Sequence, residues 1–371
     1  MDLELFTGYA GLIGVATLSI YAGSYGSLPK RKQVENVKHP GDDYEDDDDA
    51  PTAQLTAEEA WIFPVLGSIT LFSLYLVIKF LGKEWINRIM GWYFSVAGLY
   101  SVSNCTVRLA RSAVGTSRWR RFSRYQVKFP QNKPWVQFSW RSPSLLLVPV
   151  GFLPSLLSRL LPGKPSALLT DILALSFAHE ALTMMKVDSW RTGCILLSGL
   201  FVYDIWWVFG TNVMVSVATS LDVPIKLLWP KSLLSPSSGF MMLGLGDIVV
   251  PGIFVALALR YDYHRHVLKG NQNSKFAKPY FTAALSAYTL GLVITMAVMH
   301  GFKSAQPALL YLSPSCILSF VVTAVRLGEL GTAWEWSDEE NNDKDKGMQF
   351  TMLLDVAYTA PVIQANSKKQ L

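Results

Sequence analysis

Charge and cysteine are what this 371-residue chain has least of. Charged residues make up 16% of it, against about 25% in an average soluble domain, and that shortage argues against a soluble globular protein. The three cysteines, Cys105, Cys194 and Cys316, are too few for a small disulfide scaffold, and lying in or beside apolar blocks they read as free thiols. No basic stripe with interleaved aromatics occurs on a soluble unit, so the net charge of +5 does not point to nucleic acid. The start, Met1-Asp2-Leu3-Glu4, has no positive n-region and opens an apolar stretch too long for a signal-peptide core; it is expected to stay as a membrane anchor. No internal repeat of about 20 to 50 residues suggests a solenoid.

Apolar residues, by contrast, make up half of the chain and come in long blocks, and the 12 Trp, 15 Tyr and 19 Phe exclude wholesale disorder. A hydrocarbon core about 30 Å thick needs about 20 apolar residues in a helix. About nine blocks of that size appear: Leu3 to Tyr25, Ala60 to Leu81, Ile86 to Ser103, Ser144 to Leu161, Ser166 to Met185, Thr192 to Val213, Phe240 to Leu259, Tyr280 to Met299 and Pro307 to Val325. Pro149 and Pro154 interrupt the fourth, which reads as kinked or re-entrant. The fold class expected is an all-α polytopic membrane protein.

Basic loops are retained in the cytosol. With the amino terminus in the lumen, 25 of the 33 Lys and Arg residues fall on the cytosolic side and eight on the other. The amino terminus is therefore expected to be lumenal and the carboxyl terminus cytosolic. The resulting layout is a first span at 1–25, a cytosolic acidic and basic loop at 26–59, spans 2 to 5 at 60–191 with a basic cytosolic loop at 104–143, a core of spans 6 to 9 at 192–325, and a polar cytosolic tail at 326–371. The acidic run Asp42 to Asp49 reads as a solvated linker, and the tail from Trp334 as largely disordered.

An ionised carboxylate near the bilayer centre costs several kcal/mol, so acids inside spans are informative. Asp171, Glu180, Asp204 and Asp247 are the candidates. Asp204 stands among aromatics in Gly199-Leu-Phe-Val-Tyr-Asp-Ile-Trp-Trp-Val-Phe-Gly210, and Asp247 follows Leu243-Gly-Leu-Gly246; neither has a neighbouring cation in sequence. Counted from the lumenal ends of their spans, Asp204 lies about 13 Å deep and Asp247 about 10 Å, at 1.5 Å per residue. Consecutive antiparallel spans usually pack side by side, so the two carboxylates are expected to meet and share a proton. Such a pair supplies a general base and a general acid, which hydrolysis by activated water requires. Gly244 and Gly246 remove side chains where water or a substrate backbone must approach.

A transporter using the same paired aspartates is the alternative reading, but it predicts inverted repeats that are not seen. His179-Glu180 begins a zinc-protease motif whose second histidine would have to replace Thr183, and no Gly-x-Ser-Gly surrounds Ser198. Asp171, His179 and Glu180 are read as polar groups that face the bundle interior and bond to one another. His264, His266 and His300, in loops or at span ends, are given no function.

Tyr203-Asp204 in one span, Gly244-Leu245-Gly246-Asp247 in the next and Pro307-Ala308-Leu309 at the start of the last resemble the three motifs of the GxGD intramembrane aspartyl proteases, the family of the presenilins and signal peptide peptidases. The segments Thr192 to Leu197, Phe209 to Val215, Met242 to Phe254 and Gln306 to Leu312 are similar to the signal peptide peptidase branch. The resemblance implies a presenilin-like bundle of nine spans, with Asp204 and Asp247 catalytic. It implies that Pro307, Ala308 and Leu309 shape the site and help hold the substrate backbone, with Tyr203, Gly244 and Gly246 beside them. No cofactor or metal is expected. The partners implied are transmembrane peptides, chiefly remnant signal peptides and type II anchors in the endoplasmic reticulum membrane, together with membrane lipid and further copies of the chain. Lys368-Lys369, third and fourth from the end, resemble a dilysine retrieval signal.

Overall fold

The structure, a computed structural model, describes residues 2–29, 53–119, 121–129, 136–160, 166–221, 223–231, 239–268, 276–302 and 306–338. In chain order, helix α1 (Asp2–Gly26) precedes strand β1 (Ala53–Leu55), α2 (Ala57–Leu81), α3 (Lys83–Val114), the single turn α4 (Thr116–Trp119), strands β2 (Arg124–Phe129) and β3 (Val136–Arg141), and α5 (Ser142–Leu160). There follow α6 (Ala167–Met184), β4 (Met185–Val187), α7 (Trp190–Phe209), α8 (Val213–Ser220), β5 (Lys226–Pro230), β6 (Phe240–Gly244), α9 (Gly246–Leu268), α10 (Pro279–Phe302), α11 (Leu309–Leu327) and α12 (Leu330–Glu335). Among the described residues, α1, α2, α6, α7, α10 and α11 are long and apolar enough to cross a membrane. Helices α3, α5 and α9, of 32, 19 and 23 residues, pack against them. The chain is an all-α, multi-pass membrane protein.

Helix α9 is the hub. It touches α1, α6, α7, α10 and α11, and every residue from Pro251 to Asp262 is buried. Protein rather than lipid surrounds it, so it tolerates Arg260 and Asp262, which a lipid-facing helix would not. Helix α2 is the opposite case: Trp61, Ile62, Val65, Leu66 and Ile69 are all exposed, as a face in contact with lipid requires. Small residues allow the close packing around α9. A Cβ added at Gly23 of α1 or at Gly252 of α9 would come within 2.6 Å or 2.7 Å of the Leu182 side chain of α6. At one end of the hub Trp190 stacks on Phe320, with ring centroids 4.1 Å apart, and meets Phe254, Tyr261 and Tyr280 edge-on or tilted.

The structure corrects several expectations. Pro149 and Pro154 do not break the fourth span, since α5 runs through both. The third span continues past Ser103 to Val114, and the basic loop beyond it contains the antiparallel pair β2–β3. The start of the tail is packed rather than disordered: Trp336 is buried against Tyr261, Ser337 bridges to Ser189, and Asp338 pairs with the buried Arg260. The acidic run 42–49 and the Lys368-Lys369 pair lie outside the described residues. The three cysteines are free, as expected.

The polar residues of α6 do not bond to one another. Asp171 Oδ1 accepts the backbone N–H of Leu228 at 2.7 Å, which ties α6 to β5. Glu180 Oε1 accepts from Asn104 Nδ2 at 3.2 Å and lies 3.7 Å from the Arg108 guanidinium, both on α3. Sequence reading found the acids but not their partners, which stand 57 and more than 70 residues away.

Candidate active site

Asp204 lies on α7 five residues before its end and is 4% exposed. Its Oδ2 accepts the backbone N–H of Leu309 at 2.9 Å. That donor belongs to the first turn of α11, which Ala308 caps and Pro307 precedes. The first N–H groups of a helix have no partner inside it and form its positive end. The chain therefore presents the N-terminus of α11 to a carboxylate that has no cation beside it. Pro307 and Ala308 lie outside the helix rather than in its first turn, and Leu309 has given its N–H to Asp204.

Asp247 occupies the second position of α9, where the Leu245 carbonyl accepts from Ile248 and Val249 to begin the helix. Its carboxylate also lies at a helix N-terminus. The expected span from Phe240 is not helical at its start: Phe240–Gly244 is β6, paired antiparallel with β5 from Lys226↔Gly244 to Pro230↔Phe240. Asp247 therefore does not lie two turns deep in a helix: the five residues of β6, which would make about one and a half turns, are a strand. Asp204 and Asp247 nevertheless come from elements packed on one another: α7 touches both α9 and α11, and α9 touches α11. Among the described residues no ion pair involves either aspartate.

The two glycines before Asp247 differ. A Cβ added at Gly244 would stand 3.2 Å from Asp247 Oδ2, whereas one at Gly246 would meet nothing within 4 Å. Gly244 makes room for the carboxylate, and Gly246 leaves the approach to it open. Tyr203 is turned elsewhere: its ring faces α2, where a Cβ at Gly67 would lie 3.5 Å from Cε2, and it leans on Trp207. The structure brings Leu309 to Asp204 and Gly244 to Asp247, with Tyr203 set to one side.

Two residues with no motif to mark them join the site. Tyr288 of α10 is fully buried, its hydroxyl has no hydrogen-bond partner among the described residues, and it lies within electrostatic reach of Asp247. Asp171 fixes β5 and, through β5, the strand that leads into Asp247. The alternation of that hairpin also matters. Lys231 N–H bonds to Gly239 O and Leu245 N–H to Ile225 O, while Leu228 N–H points away to Asp171. By the same alternation Met242 and Gly244 direct their N–H and C=O groups to the outer edge of β6. No third strand pairs there among the described residues.

A family model described as signal peptide peptidase matches residues 47–340. A human signal peptide peptidase is 39% identical over 298 residues, covering 78% of this chain and 75% of the human one. A mouse signal peptide peptidase is 36% identical over 344 residues, covering 91% and 84%. A probable intramembrane protease of Schizosaccharomyces pombe is 34% identical over 287 residues, covering 77% and 85%.

Proposed function

Since this chain belongs to the signal peptide peptidase family and is an intramembrane aspartic protease, we propose that Asp204 and Asp247 are its catalytic pair. One observation carries the assignment: α7, α9 and α11 pack on one another, with Asp204 accepting the first N–H of α11 and Asp247 at the N-terminus of α9, and among the described residues no cation pairs with either. One of the pair takes a proton from the water that attacks the scissile carbonyl. The other gives a proton to the carbonyl oxygen and later helps the amine leave. Asp204→Asn and Asp247→Asn, purified and reconstituted with a signal peptide, should each lose at least about 100-fold in turnover. Substantial cleavage by either variant overturns the assignment.

The substrates proposed are membrane-spanning helices, chiefly remnant signal peptides and type II anchors in the endoplasmic reticulum membrane. A helical peptide bond is enclosed by its own hydrogen-bonded turn, so the substrate must unwind before either aspartate reaches it. The outer edge of β6 supports this reading. Open backbone groups at membrane depth are costly unless something pairs with them, and Gly244, where that edge ends, is three residues from Asp247. An unwound substrate lying along β6 would satisfy those groups and be delivered to the pair as an added strand. Replacing helix-weakening residues of the substrate by leucine should slow cleavage; a flat series would show that unwinding does not limit the reaction.

Orientation follows from the proposed topology, with a lumenal amino terminus and a cytosolic carboxyl terminus carrying the Lys368-Lys369 retrieval signal. A site made of L-residues reads a peptide in one direction, and this one should prefer helices whose amino terminus is cytosolic. One apolar span, flanked so that it inserts either way, tests this: equal cleavage of both orientations removes the directional claim. Assembly into homo-oligomers is proposed with it.

A further inference from the structure

Helices α1 and α10 lie side by side but leave a cavity of about 970 Å³ on the membrane side of the bundle. Its walls include Phe6, Ile13 and Leu18 of α1 with Val293 and Met296 of α10. The Thr17 and Thr289 hydroxyls in it lie 3.2 Å apart and bond to each other, so they offer little to a polar guest. Gly14 forms part of the α1 wall, and a Cβ added there would meet no heavy atom within 4 Å. The cavity runs from Phe6 to Tyr21, about 22 Å at 1.5 Å per residue.

The two ends differ. At one, Tyr9 meets His300 edge-on with ring centroids 6.2 Å apart. At the other, Tyr21 leads to Tyr25 and Phe281, and the Lys278 ammonium donates to the Tyr25 hydroxyl. Lys278 Nζ also lies 4.8 Å from the Tyr25 ring centroid and 4.9 Å from that of Phe276. An apolar channel ending in a cation among aromatic rings has the arrangement of a bilayer crossed from acyl region to headgroup level.

We propose that this groove binds one anionic phospholipid, with an acyl chain along α1 and α10 and the phosphate at Lys278 and the Tyr25 hydroxyl. The apolar channel ending in a cation among aromatic rings decides for a lipid as the occupant, since it matches an acyl chain below a headgroup. Charge decides the class of lipid, because a phosphate without a compensating ammonium matches Lys278 better than a zwitterionic headgroup does. No residue named in the candidate active site lines the groove, and Tyr288, beside Thr289 on α10, is fully buried, so the lipid site is separate from the proposed catalytic one.

Native mass spectrometry of the full chain in detergent, titrated with phosphatidylglycerol or with phosphatidylcholine of the same acyl chains, tests this. One phosphatidylglycerol per chain should be retained, about fivefold more tightly than phosphatidylcholine, the effect of one lysine at an anionic surface. Lys278→Gln should abolish that preference. Gly14→Leu, whose Cβ meets no heavy atom within 4 Å and whose side chain occupies the channel wall, should abolish retention of both lipids while thermal stability and cleavage stay at wild-type levels. Equal retention by wild type and Gly14→Leu overturns the proposal. So does the absence of retained lipid together with a Gly14→Leu change in oligomeric state, which would make a second copy the occupant.

Discussion

Two acidic sites inside this bundle are built in opposite ways. Glu180, between α6 and α3, has an amide donor and a guanidinium beside it, and the nearby segment 185–188 is further held by the buried Arg260 and Asp338. Among the described residues Asp204 and Asp247 have no cation; Asp204 has the N-terminus of α11 and Asp247 that of α9. A charge neutralised by a fixed partner holds helices together and does little else. Helix ends supply partial charge only, worth about 1 to 2 kcal/mol in favourable buried geometry, which suits a pair proposed to exchange a proton. The difference between the structural acid and the pair proposed as catalytic lies in what faces each: Asp204 is as buried as Glu180, and Asp247 is half-buried.

That contrast is sharpest at Gly244 and Gly246. Gly244→Ala pushes a methyl group to 3.2 Å from Asp247 Oδ2, and displacing the carboxylate by a few tenths of an ångström should lower kcat by about tenfold. Gly246→Ala meets no atom in the protein, so any loss should appear in KM, as obstruction of the substrate. Steady-state kinetics on a fluorogenic transmembrane peptide separate the two; identical changes in both variants would mean that the Asp247 contact is not what Gly244 is for.

Asp171 tests whether an acid at membrane depth can act purely by holding backbone. Asp171→Leu removes the acceptor for Leu228 N–H and should reduce cleavage several-fold by loosening β5 and β6, while Asp171→Asn, which still accepts, should recover most of it. Equal loss in both variants would give the Asp171 charge a part in the reaction. Tyr288→Phe should reduce kcat a few-fold at unchanged KM, with thermal stability level or slightly raised, because the hydroxyl it deletes is buried without a partner among the described residues. A fall in stability with unchanged kcat would make Tyr288 a packing residue. The smallest effect on activity is expected at Glu180→Gln: cleavage within about twofold of wild type and a stability loss of about 1 kcal/mol, read as a modest drop in melting temperature.

The pair proposed as catalytic stands out in sequence because an uncompensated charge in an apolar run is conspicuous, and Pro307 to Leu309 stand out through the family pattern. The strand before Asp247 does not. Phe240-Met-Met-Leu reads as apolar and continuous with the helix after it, and a short apolar run has no period that separates strand from helix. The partners of Asp171 and Glu180 were hidden because each comes from another element, and one of them is a backbone N–H that no side chain advertises. The packed segment Trp334 to Asp338 was misread for a related reason. Its acidic composition resembles a solvated tail, while its hold on the bundle depends on two residues, Trp336 and Asp338, meeting Tyr261 and Arg260. Span limits were close wherever hydropathy changes abruptly, as at Tyr25 and Leu81, and displaced where a helix continues into polar sequence, as α3 does beyond Ser103.

Catalysis as proposed requires Asp204 and Asp247 to act as one unit, and the non-additivity of their loss measures that directly. Turnover of a synthetic signal peptide should be compared among the wild type, Asp204→Asn, Asp247→Asn and the double variant, with melting temperature recorded for each. The prediction is that either single substitution removes as much turnover as both together, with all four proteins equally stable. Single variants that retain partial turnover, with losses that multiply in the double variant, would contradict a shared proton between the two carboxylates and with it the mechanism proposed here.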